Sequence, residues 1–309
     1  ILALVEKGEA AKALEKAKAL ARVAPAAAAP AHAVGVAQSA LGNWAAAVPA
    51  LEAAATRAPG DGAVLSDLGR ALGRAGRPVA GLARLDEAEA KGADVALRRA
   101  EILRGICRFE EAADTLEAAA ARKKTPPAVH RELALAHASL RQPDAARAAM
   151  DLAVRAQPER TGALRGELAD ALANEGETDA AMQVLDEELD EQPENAALLT
   201  QRGQLRQTLG DIEGAEEDFR HAIKASPEYP EAYRAYANGR KAAADDPVAA
   251  ALDKQMSRAD LSARTRRVMS FAAAKFAADL GDTETEIAHL ERANRLMAQA
   301  FPYSFEADL

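Results

Sequence analysis

Two histidines on one helix can begin a metal site, and one such pair occurs in this sequence. His130 and His137 are seven residues apart in a stretch rich in alanine and leucine, which favours a helix. Seven residues place both rings on one face but about 10.5 Å apart along the axis, too far to share one ion. We interpret both as solvated or core-edge side chains. Because His32, His221 and His289 have no cysteine or histidine at ligand spacing, the sequence predicts no metal and no cofactor.

Carboxylates could perform general acid–base catalysis, and they occur in two clusters. The clusters are Asp186, Glu187, Glu188, Asp190 and Glu191, and Glu216, Glu217 and Asp218. Acid–base work requires carboxylates that are held in a cleft with separated pKa values. Both clusters fall on segments that we expect to face outward, so we interpret them as solvated surface.

Basic residues, the cysteine and the glycines offer little further chemistry. Three basic residues occur at positions 122–124, and three more are Arg264, Arg266 and Arg267. Such groups usually complement a helix end or stay hydrated, with phosphate or partner binding as the alternative. Cys107 is interpreted as a small apolar filler at a helix end. The sequence has no phosphate loop and no supported nucleophile set, so it predicts no catalytic residue.

Composition narrows the class of protein. The 309 residues carry 48 acidic and 39 basic side chains, a net charge of −9 that argues against a general nucleic-acid binder. One cysteine excludes an internal disulfide framework and agrees with a reducing cytoplasm, where we expect the protein. We find no apolar run of the roughly 18 residues that a membrane span requires.

Glycines and prolines repeat at a fixed interval. Gly8, Gly42 and Gly76 are 34 residues apart, and Gly176 and Gly210 keep the same interval. Small and large residues also recur at fixed offsets, as in Ala215, Phe219 and Ala222. The same triplet occurs as Ala47, Leu51, Ala54, as Ala112, Leu116, Ala119 and as Ala146, Met150, Ala153. Gly81 replaces the first alanine in one unit and Glu188 the last in another. Small residues allow two helices to approach closely, and the large residue fills the space between them.

An interval of 34 with this pattern resembles the tetratricopeptide repeat, a pair of antiparallel helices. The resemblance implies an all-α fold, a right-handed α-solenoid superhelix of about nine helix pairs. We expect a tandem array over residues 1–228, with its first unit truncated. Residues 229–309 are expected to form irregular and repeat-like helices that lead into a further C-terminal domain, with a last pair near 262–280 and 283–300.

The resemblance also implies which residues line a groove formed by the first helices of the pairs. These are Arg131, Leu135, Ser139, Asp170, Asn174, Thr200, Gln204, Gln207 and Thr208. Family members that clamp an acidic peptide terminus repeat Lys, Asn and Arg at these places, whereas this lining is small and neutral. We therefore expect a protein or peptide partner without that clamp. Further candidate partners are the protein's own C-terminal domain and a second copy of the chain.

The last eighty residues carry a second resemblance. The segment that begins Ser226-Pro-Glu-Tyr-Pro-Glu-Ala-Tyr, the break at residues 245–247 and the closing helix pair are similar to the repeat region of bacterial tetratricopeptide–sulfotransferase proteins. In that family an Arg-Ser-Gly-Thr loop of a PAPS-dependent domain follows, and this chain stops before any such loop. The first hypothesis is an interaction module, the N-terminal part of a sulfotransferase. The alternative is a stand-alone bacterial scaffold for a secretion or envelope complex. Neither makes this chain an enzyme by itself.

Overall fold

A computed structural model describes residues 1–122 and 124–300. Within these ranges the secondary structure consists of α-helices and one short 3₁₀ helix, without a strand. The all-α prediction is therefore confirmed. The chain separates into two compact units, the first spanning Ile1–Gln157 and the second beginning at Pro158.

The first unit is a row of helical hairpins. Its helices are α1 (Leu2–Glu6), α2 (Ala10–Val23), α3 (Ala28–Ala40), α4 (Trp44–Arg57), α5 (Gly62–Arg74), α6 (Pro78–Ala90), α7 (Ala96–Gly105), α8 (Phe109–Ala120), α9 (Pro127–Ser139) and α10 (Pro143–Ala156). Each odd-numbered helix packs against the even-numbered helix that follows it. The first helix of each hairpin, from α1 through α9, also contacts the first helix of the next hairpin.

The second unit continues the pattern and then changes it. After a 3₁₀ helix at Pro158–Arg160 come α11 (Thr161–Asn174), α12 (Thr178–Glu191), α13 (Ala196–Thr208), α14 (Ile212–Ala225), α15 (Pro230–Gly239), α16 (Pro247–Met256), α17 (Ala263–Leu280) and α18 (Thr283–Ala300). Helices α11 to α14 form two hairpins, and α17 packs against α18. Helix α15 packs against α14 and α17, and α16 also packs against α17.

The predicted boundary at residues 228/229 coincides with the change from regular hairpins to this irregular packing, since α15 begins at Pro230. Its role as a domain boundary stays a prediction, because the contacts divide the chain at Gln157 instead. Residues 301–309 of the predicted C-terminal segment lie outside the described residues.

The turn inside each of the first seven hairpins contains one residue with a positive φ. These residues are Gly8, Gly42, Gly76, Cys107, Arg141, Gly176 and Gly210. Glycine adopts this left-handed conformation without the steric cost that a side chain adds. Cys107 has a φ of 59° and is exposed. Its interpretation as a small apolar filler was therefore wrong, because it is exposed and occupies the place of the turn glycine.

This turn generates a stability prediction. We expect Cys107→Gly to raise the free energy of unfolding by about 1 kcal/mol, because it removes the side chain from a left-handed position. Gly42→Ala is the matched reverse variant, since Gly42 has a φ of 78° and open space around it. It should lower stability by a similar amount. Thermal unfolding followed by circular dichroism tests both, and a lower midpoint for Cys107→Gly would contradict the argument.

Each of the six hairpins from α3–α4 to α13–α14 has a small residue on its first helix and a large one 16 positions later on its second helix. The six pairs are Gly35 and Leu51, Gly69 and Leu85, Ala100 and Leu116, Ala134 and Met150, Ala169 and Leu185, and Gly203 and Phe219. The large residues are at most 2% exposed. A Cβ on Gly35 would lie 2.4 Å from Leu51 Cγ, and one on Gly203 would lie 2.5 Å from Phe219 Cε1. The first helix must therefore carry a small side chain where the large residue packs.

Helices α5 and α6 approach each other closely enough to explain why Gly81 departs from the pattern. A Cβ on Gly81 would lie 2.7 Å from the carbonyl oxygen of Gly69 and 2.9 Å from the nitrogen of Gly73. Both neighbours are backbone atoms, which cannot rotate away as a side chain can. The alanine of the other hairpins does not fit here without separating the two helices.

We expect Gly81→Ala to destabilise the first unit by about 1–3 kcal/mol, because overpacking outweighs the gain in helix propensity. The control is Gly105→Ala, where the added Cβ meets nothing within 4 Å on a helix. That variant should be neutral or more stable by up to about 1 kcal/mol. Midpoints of urea unfolding give both values. Equal effects of the two substitutions would show that the close approach is not a constraint.

Candidate functional site

The repeat becomes irregular at α7, and two cavities of the first unit lie beside this helix. The turn residues Gly76 and Cys107 are 31 residues apart, whereas Gly42 and Gly76 are 34 apart. Helix α7 has 10 residues, whereas α5 and α9 have 13 each. Two cavities of about 570 and 470 Å³ lie beside α7, and both are bordered by Leu97 and Arg98. These volumes are in the range that ligand sites occupy.

Four arginines line these cavities along the first helices of neighbouring hairpins. We call this surface the arginine groove, and it comprises Arg70, Arg74, Leu97, Arg98, Glu101, Arg104 and Glu132. Arg70 Nε donates to Glu101 Oε2 at 2.9 Å, and Arg74 Nη1 lies 3.6 Å from Glu101 Oε1. Arg104 Nη1 donates to Glu132 Oε2 at 2.6 Å. These pairs connect α5 to α7 and α7 to α9.

Trp44, at the start of α4, supports one end of the arginine groove. The guanidinium carbons of Arg70 and Arg74 lie 5.4 and 5.3 Å from the centroid of its ring. This geometry permits cation–π attraction to both arginines. Trp44 also packs on the buried cluster that includes Leu51 and Leu68, so its ring contributes to the core as well as to this contact.

A further polar chain connects α3, α5 and α7. His32 Nε2 lies 2.6 Å from Asp67 Oδ2, and Arg98 Nη2 lies 2.5 Å from Asp67 Oδ1. The sequence predicted groove residues on α9, α11 and α13 alone. The arginines of α5 and α7 were therefore missed. The sequence pattern could have identified them. The positions that line the groove in tetratricopeptide repeats correspond, in the hairpin of α5, to Ser66, Arg70 and Arg74 among others.

The predicted groove residues of the first unit lie on α9, at the far side of the arginine groove. Arg131 Nη1 donates to Glu132 Oε1 at 2.7 Å. Ser139 is half-buried, whereas Leu135 is 8% exposed and contributes to the core. Arg131 thus belongs to the same charged surface as Arg104, because both contact Glu132.

In the second unit the predicted groove residues of α11 are exposed. Asp170 and Asn174 lie one turn apart, and Gln201 Nε2 donates to Asp170 Oδ2 at 2.9 Å. Partial desolvation raises the pKa of Asp170, and the Gln201 hydrogen bond opposes that shift. Both side chains are therefore accessible from solvent at the surface where α11 meets α13.

The predicted groove residues of α13 divide into two groups. Gln204 and Thr208 are exposed, and Gln207 is half-buried beside Gly239 of α15. Thr200 is 3% exposed, and its hydroxyl donates to the carbonyl of Ala196 at 2.7 Å. The Thr200 side chain is satisfied inside the unit and does not reach the surface.

The acidic clusters are less solvated than predicted, and two residues require correction. Asp218 is 4% exposed and accepts hydrogen bonds from Arg202 Nη2 at 2.7 Å and Arg206 Nη1 at 3.0 Å. Glu188 is 7% exposed, and burial raises its pKa. Arg202 also donates to Asp186 at 2.8 Å, so it joins α12, α13 and α14. Asp218 and Glu188 are therefore buried between helices, whereas Asp186 stays half exposed.

Most of the other candidate groups have structural partners, whereas Nδ1 of His130 and of His289 is buried without a hydrogen bond. His137 Nδ1 lies 2.8 Å from Gln142 Oε1, at the edge of the core. Arg122 pairs with Asp94 at 3.2 Å, and Arg264 pairs with Glu231 at 2.6 Å; Lys123 lies outside the described residues. Within the described part of the chain, no group of three His, Cys, Asp or Glu side chains is arranged to hold a metal ion. None of the helices there combines the length and apolar character needed to cross a bilayer.

Comparisons with known proteins agree with the hairpin architecture. Models of the tetratricopeptide repeat match residues 97–161, 131–196 and 196–229. A chain in the crystal structure of the APC/C hetero-tetramer Cut9-Hcn1 is similar with a TM-score of 0.55 and 17% identity, over 76% of this chain and 47% of that one. This chain thus spans about half of that relative.

Human IFIT1, solved as a dimer with PPP-AAAA, is similar with a TM-score of 0.53 and 15% identity, over 94% of this chain and 69% of that one. No curated protein matches the sequence. At these identities the structural likeness establishes the fold alone. The chain contains tetratricopeptide repeats.

Proposed function

We propose that this tetratricopeptide-repeat chain is a binding module that holds a protein or peptide partner along the first helices of its hairpins. The repeat fold is typical of protein–protein interaction scaffolds. The observation that carries the proposal is the arginine groove, where two adjoining cavities meet at Leu97 and Arg98. An apolar side chain beside several oriented cations suits recognition of an extended polypeptide.

The exposed predicted residues supply further proposed contacts within each unit. Arg131 borders the arginine groove through Glu132, and Asp170 with Asn174 offers a polar surface on α11 of the second unit. We propose both as partner-contacting sites, together with the exposed side chains of Gln204 and Thr208 on α13. The proposal assigns binding to this chain and assigns it no reaction and no cofactor.

A charge-reversal experiment tests the module. We expect Arg131→Glu and Asp170→Lys each to weaken partner capture by about ten-fold, because they reverse charges at the proposed contact. The control is Glu217→Lys, an exposed change on the second helix α14. Quantitative pull-down should show proteins that the wild type and the control retain and the groove variants lose. Equal capture by all four chains would place binding elsewhere.

We propose further that the array belongs to a longer protein in which it positions a substrate for a sulfotransferase domain. This rests on the resemblance of the segment from Ser226 onward. The alternative is a stand-alone scaffold of a bacterial secretion or envelope complex. Extending the reading frame separates the two: an Arg-Ser-Gly-Thr loop within a few dozen residues after Leu309 supports the first, and a stop codon supports the second. A cytoplasmic location and the lack of nucleic-acid binding remain predictions.

A further inference from the structure

We infer that the arginine groove binds an acidic peptide, and that Glu101 occupies, in the free protein, the place that a carboxylate of this peptide takes. This inference rests on the proposed function and names the partner's chemistry. The inferred site differs from the family's clamp on an acidic peptide terminus, because the later hairpins lack the repeated Lys, Asn and Arg of that clamp. The contact that defines it is the pair Arg70 and Arg74 around Glu101.

The charge of the groove is opposite to that of the chain. The two cavities are lined by five basic side chains and three acidic ones, an excess of two positive charges. The chain as a whole has a net charge of −9. A local positive surface attracts an anionic partner.

Arg70 and Arg74 are prepared for a second carboxylate. Their side chains are 43% and 51% exposed, and both guanidinium carbons lie within 5.4 Å of the centroid of the Trp44 ring. Arg70 donates to Glu101 through Nε, and Arg74 stays at ion-pair distance from the same carboxylate. Each guanidinium has five N–H groups, so donors remain in the described structure for an incoming carboxylate. Cation–π attraction to Trp44 favours these side-chain positions before a partner binds, so binding requires less ordering of the two arginines.

Glu101 resembles the ligand that we infer. Its carboxylate comes from the neighbouring helix α7 and bridges two cations on α5. An acidic side chain of a partner would make the same contacts and would compete with Glu101 for them. Removal of the Glu101 charge should therefore strengthen binding of the acidic peptide. If Glu101 only stabilised the fold, its removal would not strengthen binding.

The lining favours a peptide over a nucleic acid. Leu97 lies among the arginines, and the adjoining cavity includes Ala63, Pro126 and Val129. These apolar groups suit aliphatic side chains. Single-stranded nucleic acid is held by bases that stack on open aromatic rings. The aromatic ring beside this groove, Trp44, is already in contact with Arg70 and Arg74.

Fluorescence anisotropy with three labelled probes tests the inference on the full chain. The probes are an eight-residue peptide of Glu and Asp with a central leucine, the same peptide with Gln and Asn, and an oligoadenylate RNA. We expect the wild type to bind the acidic peptide alone, with weaker binding at higher salt. The double variant Arg70→Ala/Arg74→Ala should lose at least about ten-fold in affinity. Glu101→Gln should gain about two- to five-fold, the range of one exposed ion pair.

Arg84→Ala is the matched control, since Arg84 is 45% exposed and paired with Glu87 on the second helix α6. It should bind the acidic peptide as the wild type does, and thermal unfolding verifies that every variant is folded. Unchanged or weaker binding by Glu101→Gln, or equal binding of the neutral peptide, would overturn the inference. Preferential binding of the RNA would overturn it in favour of a nucleic-acid partner. A failure of this inference can be distinguished from a failure of the proposed binding module. If the module itself is wrong, Arg131→Glu and Asp170→Lys leave partner capture unchanged in the pull-down.

Discussion

The close contact between a small residue on one helix and a large residue on the next underlies the rest of the structure. Gly203 and Phe219 illustrate it, because the ring lies where a Cβ would stand. A hairpin that closes in this way buries its large residue almost completely. Dense interiors tolerate little added volume, so the small residue is as necessary as the large one. Each hairpin then presents its remaining faces to its neighbours.

The hairpin that contains α7 departs from the regular stacking of its neighbours. The chain between Gly76 and Cys107 is three residues shorter than the repeat. Helix α7 is correspondingly short, and the cavities of the first unit that border the arginine groove lie beside it. In a repeat array each hairpin contacts only its neighbours, so a local change in register opens a site without disturbing distant hairpins.

The ion pairs of the two units differ in burial. In the second unit Asp218 is buried between Arg202 and Arg206, and a buried charge is costly to leave with fewer partners. In the first unit the pairs made by Arg70 and Arg74 remain half exposed, and exposed pairs contribute little to stability. The exposed pairs can therefore exchange partners at low cost, and the buried pairs cannot.

The sequence alone determined the repeated hairpins, because the turns and the close helix contacts require particular residue types at fixed positions. These are turn glycines 34 positions apart and small residues paired with large ones. It also predicted α17 and α18 to within one residue. It did not determine which side chains are buried: Asp218 and Glu188 were expected in water, and Cys107 was expected to be an apolar filler at a helix end. Only the tertiary structure decided these, and it alone brought Arg70, Glu101 and Trp44 together, since side chains on three separate helices meet only when the hairpins stack.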